Sequence, residues 1–207
     1  MEKEQAEKYI NYSKIKISQR KWFLLAILVC GFFSVPCLAI YHGIAYTVIT
    51  VIMLVSAVVI CIVGGSKKFR NEYMFSVFSA TVVLILCTLF NLLMYGILMY
   101  INNLVWWAYL ILIIFELVAL VGTLLIYIQI AKRGANTKRQ VFKIGTAASS
   151  AMMGHGLASI MMYVYHPSDN IWGFVLAALI CFCVCLLEVG ASAQIYRAYL
   201  IKKFDVK

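Results

Sequence analysis

Two long stretches of this 207-residue chain carry no charged residue, and they limit the possible folds more than any other feature. The first lies between Lys21 and Lys67, and the second lies between Glu72 and Glu116. Overall, 64% of the residues are apolar and 13% are charged, whereas soluble domains are about half apolar and about a quarter charged. Uncharged runs of this length do not fit inside a water-soluble core, so the sequence excludes both a soluble enzyme and a disordered chain.

The apolar segments are long enough to cross a bilayer as helices, since about 20 apolar residues span a hydrocarbon core of about 30 Å. The predicted spans are residues 22–41, 44–63, 73–100, 104–130, 144–165 and 171–199. Short breaks join them, so we expect consecutive helices to run antiparallel as three hairpins. The predicted fold class is all-α, a polytopic membrane protein with a bundle of six transmembrane helices. Residues 1–21 form a basic N-terminal arm, and residues 200–207 form a basic tail.

The basic residues predict the orientation of this bundle. All 18 lysines and arginines lie in the arm, in the breaks after the second and fourth spans, or in residues 197–207. Under the positive-inside rule both termini are cytoplasmic, so we expect a multi-pass protein of the plasma membrane, of the bacterial type. This topology, with attraction to anionic lipids, accounts for the net charge of +10. The expected partner is therefore the lipid bilayer and not nucleic acid.

Three titratable residues lie far from the ends of the predicted spans. Along their helices, Glu116 lies about 24 Å, Glu188 about 21 Å and His155 about 18 Å from the flanking lysine. We therefore expect them near one layer inside the membrane, where such residues mark an ion path, a proton path or a binding site.

Uncharged polar residues extend this layer along the helix faces. The candidate residues for binding an ion, a proton or a substrate are Glu116, Glu188, His155, Asn91, Ser192 and Thr123. Thr123 follows Glu116 by seven residues and Ser192 follows Glu188 by four, spacings that keep each pair on one helix face. The pattern predicts a small transporter or channel that moves a cation or a proton-coupled small solute.

The same residues also have a purely structural interpretation. A neutral glutamic acid can hydrogen-bond a neighbouring helix, and the glycines on both sides of His155 indicate close helix contact. The alternative function is therefore a non-catalytic accessory, regulatory or immunity subunit. Such a subunit would contact a membrane partner protein, or a second copy of itself, through its helices.

Motifs for catalysis and for cofactor binding are missing from the sequence. It has no HExxH motif, nucleophile elbow, glycine-rich phosphate loop or acidic DxD cluster, so we expect no enzymatic activity. The seven cysteines all lie in predicted spans without zinc-site spacing. Met152, His155, Met162 and His166 are spread over four turns of one helix, which does not make a compact metal site. We expect neither a metal nor a cofactor.

Two further features concern the ends of the chain. Arg197 lies inside the last predicted span, and its long side chain can reach the membrane surface by snorkelling. In the N-terminal arm, Ile10, Ser13 and Ile17 would share one face of a helix. This pattern predicts at most a weak interfacial helix.

Overall fold

The computed structural model describes residues 3–15, 17–40, 43–66, 71–101 and 171–205, together with scattered residues between 110 and 129. The regular structure in these parts is helical. The helices are α1 (Lys3–Tyr12), α2 (Gln19–Ile40), α3 (Ile44–Gly65), α4 (Glu72–Gly96) and α5 (Ile171–Phe204), and α4 continues into a π-helical turn at Ile97–Ile101.

Three helices among the described residues are long and apolar enough to cross a membrane. They are Gln19–Ala39, Ile44–Gly65 and Glu72–Met99, which match the first three predicted spans. These helices support a helical membrane protein. The predicted span 144–165 and most of the span 104–130 lie outside the described residues, so the count of six stays a prediction.

Local sequence explains where several of these helices begin and end. α4 begins after Asn71, whose side-chain oxygen accepts a hydrogen bond of 2.6 Å from the Met74 amide, as expected of an N-cap residue. α3 ends before Ser66, whose amide donates to the Val63 carbonyl at 3.1 Å. Pro36 lies inside α2, and the helix continues past it to Ile40.

The start of α2 and the end of α3 are in close contact, which makes these two helices an antiparallel hairpin. The ring of Phe23 covers Gly64 so closely that a Cβ added there would lie 2.6 Å from the ring atom Cζ. The Gln19 side-chain amide donates a hydrogen bond of 2.6 Å to the Gly64 carbonyl. Phe75 of α4 packs edge-on against Phe23, with ring centroids 5.7 Å apart, so α4 joins this end of the hairpin.

α4 packs more extensively against α5 than against any other described helix. Ser76, near the start of α4, hydrogen-bonds Arg197, near the end of α5. Phe90, farther along α4, belongs to the same buried cluster as Val184 of α5. The two helices are therefore antiparallel, and they bury the polar residues described below.

The faces of α2 and α3 that do not pack against the other described helices carry large, exposed apolar side chains. Examples are Leu28 and Phe32 on α2 and Val59 and Ile62 on α3. Exposed apolar faces of this size are unfavourable in water and are expected where a helix contacts lipid. They support the assignment of these helices to a membrane.

Candidate intramembrane polar site

Glu188 lies on α5, the helix that packs against α4, and is only 5% exposed. One turn earlier on the same face, Val184 is fully buried and belongs to an apolar cluster with Cys87 and Phe90 of α4. Leu187 packs against this cluster and against the one formed by α2, α3 and α4. Glu188 is therefore enclosed within a single chain, next to residues of α5 that pack in apolar clusters.

Ser192 follows on the same buried face of α5. It is 0% exposed, as is its neighbour Ala191, and it lies one turn (~6 Å) beyond Glu188 along the helix. Small residues let neighbouring helices approach closely, and a hydroxyl can both donate and accept hydrogen bonds. The structure thus places two of the predicted site residues together on one buried surface.

Asn91 lies on the facing helix α4 and is partly buried, with its side-chain oxygen enclosed. Arg197 hydrogen-bonds Ser76, so in this antiparallel pair the level of Glu188, nine residues before Arg197, lies near residue 85 of α4. Asn91 is then roughly one to two helical turns from that level along the axis. Asn91 therefore lies in the same helix pair as Glu188, on the C-terminal part of α4 next to Phe90.

The remaining candidates, Glu116, Thr123 and His155, lie outside the described residues. Their inclusion in one layer with Glu188 stays a prediction from the sequence.

Arg197 is a residue whose importance the sequence analysis did not predict. It is 0% exposed, and its guanidinium donates three hydrogen bonds to three parts of the chain. The acceptors are the Ile10 carbonyl at 3.2 Å, the Ser76 hydroxyl at 2.8 Å and the Glu72 carboxylate at 2.7 Å. Its side chain does not reach the surface, which differs from the snorkelling interpretation. The physical reason is that α1 covers it and supplies an acceptor.

Glu72 forms a second ion pair, with Lys14 just after α1. Its side chain is 39% exposed, whereas that of Arg197 is 1% exposed. Glu72 therefore connects a buried cation on α5 to a more exposed cation on the N-terminal arm. By contrast, the Glu4–Lys8 pair within α1 is fully exposed, and hydrogen bonding to Lys8 together with its charge lowers the pKa of Glu4.

The N-terminal arm is docked on the helix pair through α1. Ala6, Tyr9 and Ile10 are at most 4% exposed and pack in a cluster with Tyr196 and Leu200 of α5. Their spacing of three and four residues makes one helix face. Ile17, which the sequence analysis placed with Ile10, is 49% exposed.

The sequence carries some signal for the Arg197–Glu72 pair, though not for the docking of α1. Arg197 stands among apolar residues in a predicted span, and Glu72 begins a helix whose start lies on the same predicted side of the membrane. An acid and a base so placed can pair. The contact to the Ile10 carbonyl leaves no such signal, because any residue type supplies a backbone acceptor.

Within the described ranges, no group of three or more His, Cys, Asp or Glu residues is arranged to hold a metal ion. Cys30, Cys37, Cys61 and Cys87 are buried, and none of these four is in a disulfide bond.

Comparisons with protein-family models, with curated proteins and with solved structures gave no significant match to this chain.

Proposed function

We propose that this chain is a small multi-pass membrane transporter or channel that moves a cation or a proton-coupled small solute. Glu188 is the intramembrane acid of its path. The observation that carries the proposal is the burial of Glu188, which is 5% exposed, with the fully buried Ser192 one turn away on a helix packed antiparallel against α4.

The chemistry of such a group supports binding of a proton or cation. An ionised carboxylate is expensive to hold in an apolar interior unless a proton or a cation neutralises it. Uptake and release of that positive charge would therefore change the local electrostatics strongly. Ser192 can accept a hydrogen bond from a protonated carboxyl group or contribute an oxygen to a bound cation.

The membrane arrangement proposed with this function has six spans, both termini in the cytoplasm and a plasma membrane of the bacterial type. The distribution of lysine and arginine in the sequence supports the orientation. The three apolar helices support the membrane location.

The alternative, an accessory subunit that contacts a partner through its intramembrane polar groups, is less well supported. Glu188 and Ser192 are covered by residues of their own chain, so they are not presented to a second protein. A partner would have to bind elsewhere, for example on the exposed apolar faces of α2 and α3.

The test is flux through the wild-type protein in proteoliposomes, with protein-free liposomes as the control. A pH step is applied first, followed by gradients of a small panel of monovalent and divalent cations. Flux above the control under at least one gradient is expected. Silence under every gradient, for a protein that elutes as a folded species, would contradict transport and would favour a search for a partner by crosslinking.

A further inference from the structure

α1 is too short and too polar to be stable by itself. It has 10 residues, and isolated helices shorter than about 12–15 residues are marginal in water. Its stability must therefore come from the face formed by Ala6, Tyr9 and Ile10, which packs on α5. Lys3 and Lys8 on the other side are exposed. Folding of α1 and docking of α1 are thus one event.

The C-terminal end of α1 is bound by two side chains of α5. The Ile10 carbonyl belongs to the last turn, where carbonyls have no partner within the helix, and Arg197 Nε donates to it at 3.2 Å. Gln194 Nε2 donates to the Ser13 carbonyl at 3.2 Å. A cation at this end also interacts favourably with the helix dipole, so the contacts stabilise α1 only in its docked position.

Glu72 forms ion pairs with residues on both sides of the contact between α1 and α5, and its pair with Arg197 is called the Arg197–Glu72 junction below. It neutralises the buried guanidinium of Arg197, and it pairs with Lys14 at the end of the arm. Without the Glu72 charge, Arg197 would be a buried cation lacking its counter-ion, which is strongly unfavourable. Undocking of α1 would remove this free-energy cost, because the guanidinium of Arg197 would then be exposed to water and solvated.

From this geometry we propose that α1 is a latch, a helix that orders when it docks on the α4–α5 pair and unfolds when the Arg197–Glu72 junction opens. It covers the end of the helix pair that holds Glu188, which lies about 14 Å from Arg197 along α5.

The test is amide hydrogen exchange of the full-length protein in lipid nanodiscs. Wild type is compared with Glu72→Gln, which keeps the size of the side chain and removes its charge. We expect protection of residues 3–13 to fall by about tenfold or more, with protection of α2 and α3 unchanged. The control is Glu4→Gln, which breaks the exposed pair with Lys8 and should leave the exchange of residues 6–13 as in wild type.

Unchanged protection of residues 3–13 in Glu72→Gln would overturn the latch, as would an equal loss across all described helices, which indicates general destabilisation. If Glu72→Gln does not fold, Gln194→Ala gives a second test. It removes only the bond to the Ser13 carbonyl, and about threefold faster exchange of residues 3–13 is expected. No change in that variant would also overturn the proposal.

The latch and the proposed function are tested separately. Local opening of α1 in Glu72→Gln supports the latch whether or not the wild type carries flux, and a wild type without flux contradicts transport alone.

Discussion

A guanidinium enclosed in a helical bundle needs acceptors from the protein itself, and Arg197 shows how one residue can organise several elements. Its three hydrogen bonds run to α1, to the start of α4 and to the hydroxyl of Ser76 one turn later. A planar fork with donors in fixed directions fits such a set, whereas a lysine ammonium is a compact charge on a flexible stem. Shape as well as charge therefore decides which residue can occupy this position.

This geometry predicts the effect of Arg197→Lys. A single ammonium cannot replace donors in three directions, so at least one buried acceptor loses its partner at a cost of about 1–3 kcal/mol. We expect a lower unfolding temperature in detergent, measured by intrinsic fluorescence. Arg20→Lys, at an exposed position at the start of α2, is the matched control and should change stability by less than about 0.5 kcal/mol. Equal melting of both variants would argue against a specific role of the guanidinium.

At this scale the sequence predicted polar residues but not their long-range partners. Polarity and four-residue spacing were enough to select Glu188 and Ser192. Arg197 and Glu72 are 125 residues apart in the chain, and their pairing depends on how α4 and α5 are aligned. No local pattern encodes that alignment, which is why snorkelling was expected for Arg197.

At the scale of elements, the contact between α2 and α3 depends on Gly64, which has no side chain. Phe23 is 2% exposed and also packs edge-on against Trp22 and Phe75. Its ring therefore has little room to move away from Gly64. The close approach of the two helices requires glycine at this position.

The predicted result is that Gly64→Ala destabilises the hairpin by about 1–3 kcal/mol, the usual cost of overpacking. Gly65→Ala is a control at the next residue, because a Cβ there meets nothing within 4 Å. It should be neutral or slightly stabilising, since alanine favours helix over glycine. Thermal unfolding of both variants in the same detergent checks this. A stable Gly64→Ala protein would show that the contact is looser than described.

Hydropathy predicted the first three long helices to within a few residues, because an uninterrupted apolar run bounded by charged residues can adopt few structures other than a membrane-spanning helix. It predicted less well where a helix continues beyond the apolar run. α5 extends to Phe204, beyond the predicted end at residue 199. Leu200 and Ile201 are buried in the cluster with α1, so packing against the N-terminal arm stabilises the extra turns. Docking of the arm was not predictable from a ten-residue polar helix.

At the scale of the whole molecule, the positive-inside rule makes a prediction that is independent of any transport activity. An even number of spans requires both termini to lie on the same side of the membrane. The positive-inside rule predicts that this side is the cytoplasm. Protease added to inside-out vesicles should remove tags from both ends, and right-side-out vesicles should protect both. Termini accessible from opposite sides would contradict the six-span arrangement.

The central claim is that Glu188 acts chemically and not only as a packing group. The most direct measurement is the initial rate of flux after a pH step in proteoliposomes that contain equal amounts of folded wild type or Glu188→Gln. Glutamine keeps the volume of the side chain and, like a protonated carboxyl group, both donates and accepts hydrogen bonds, but it cannot ionise. If Glu188 binds the proton or cation, flux falls by about tenfold or more while the unfolding temperature stays near that of the wild type. Wild-type flux in Glu188→Gln would contradict this role.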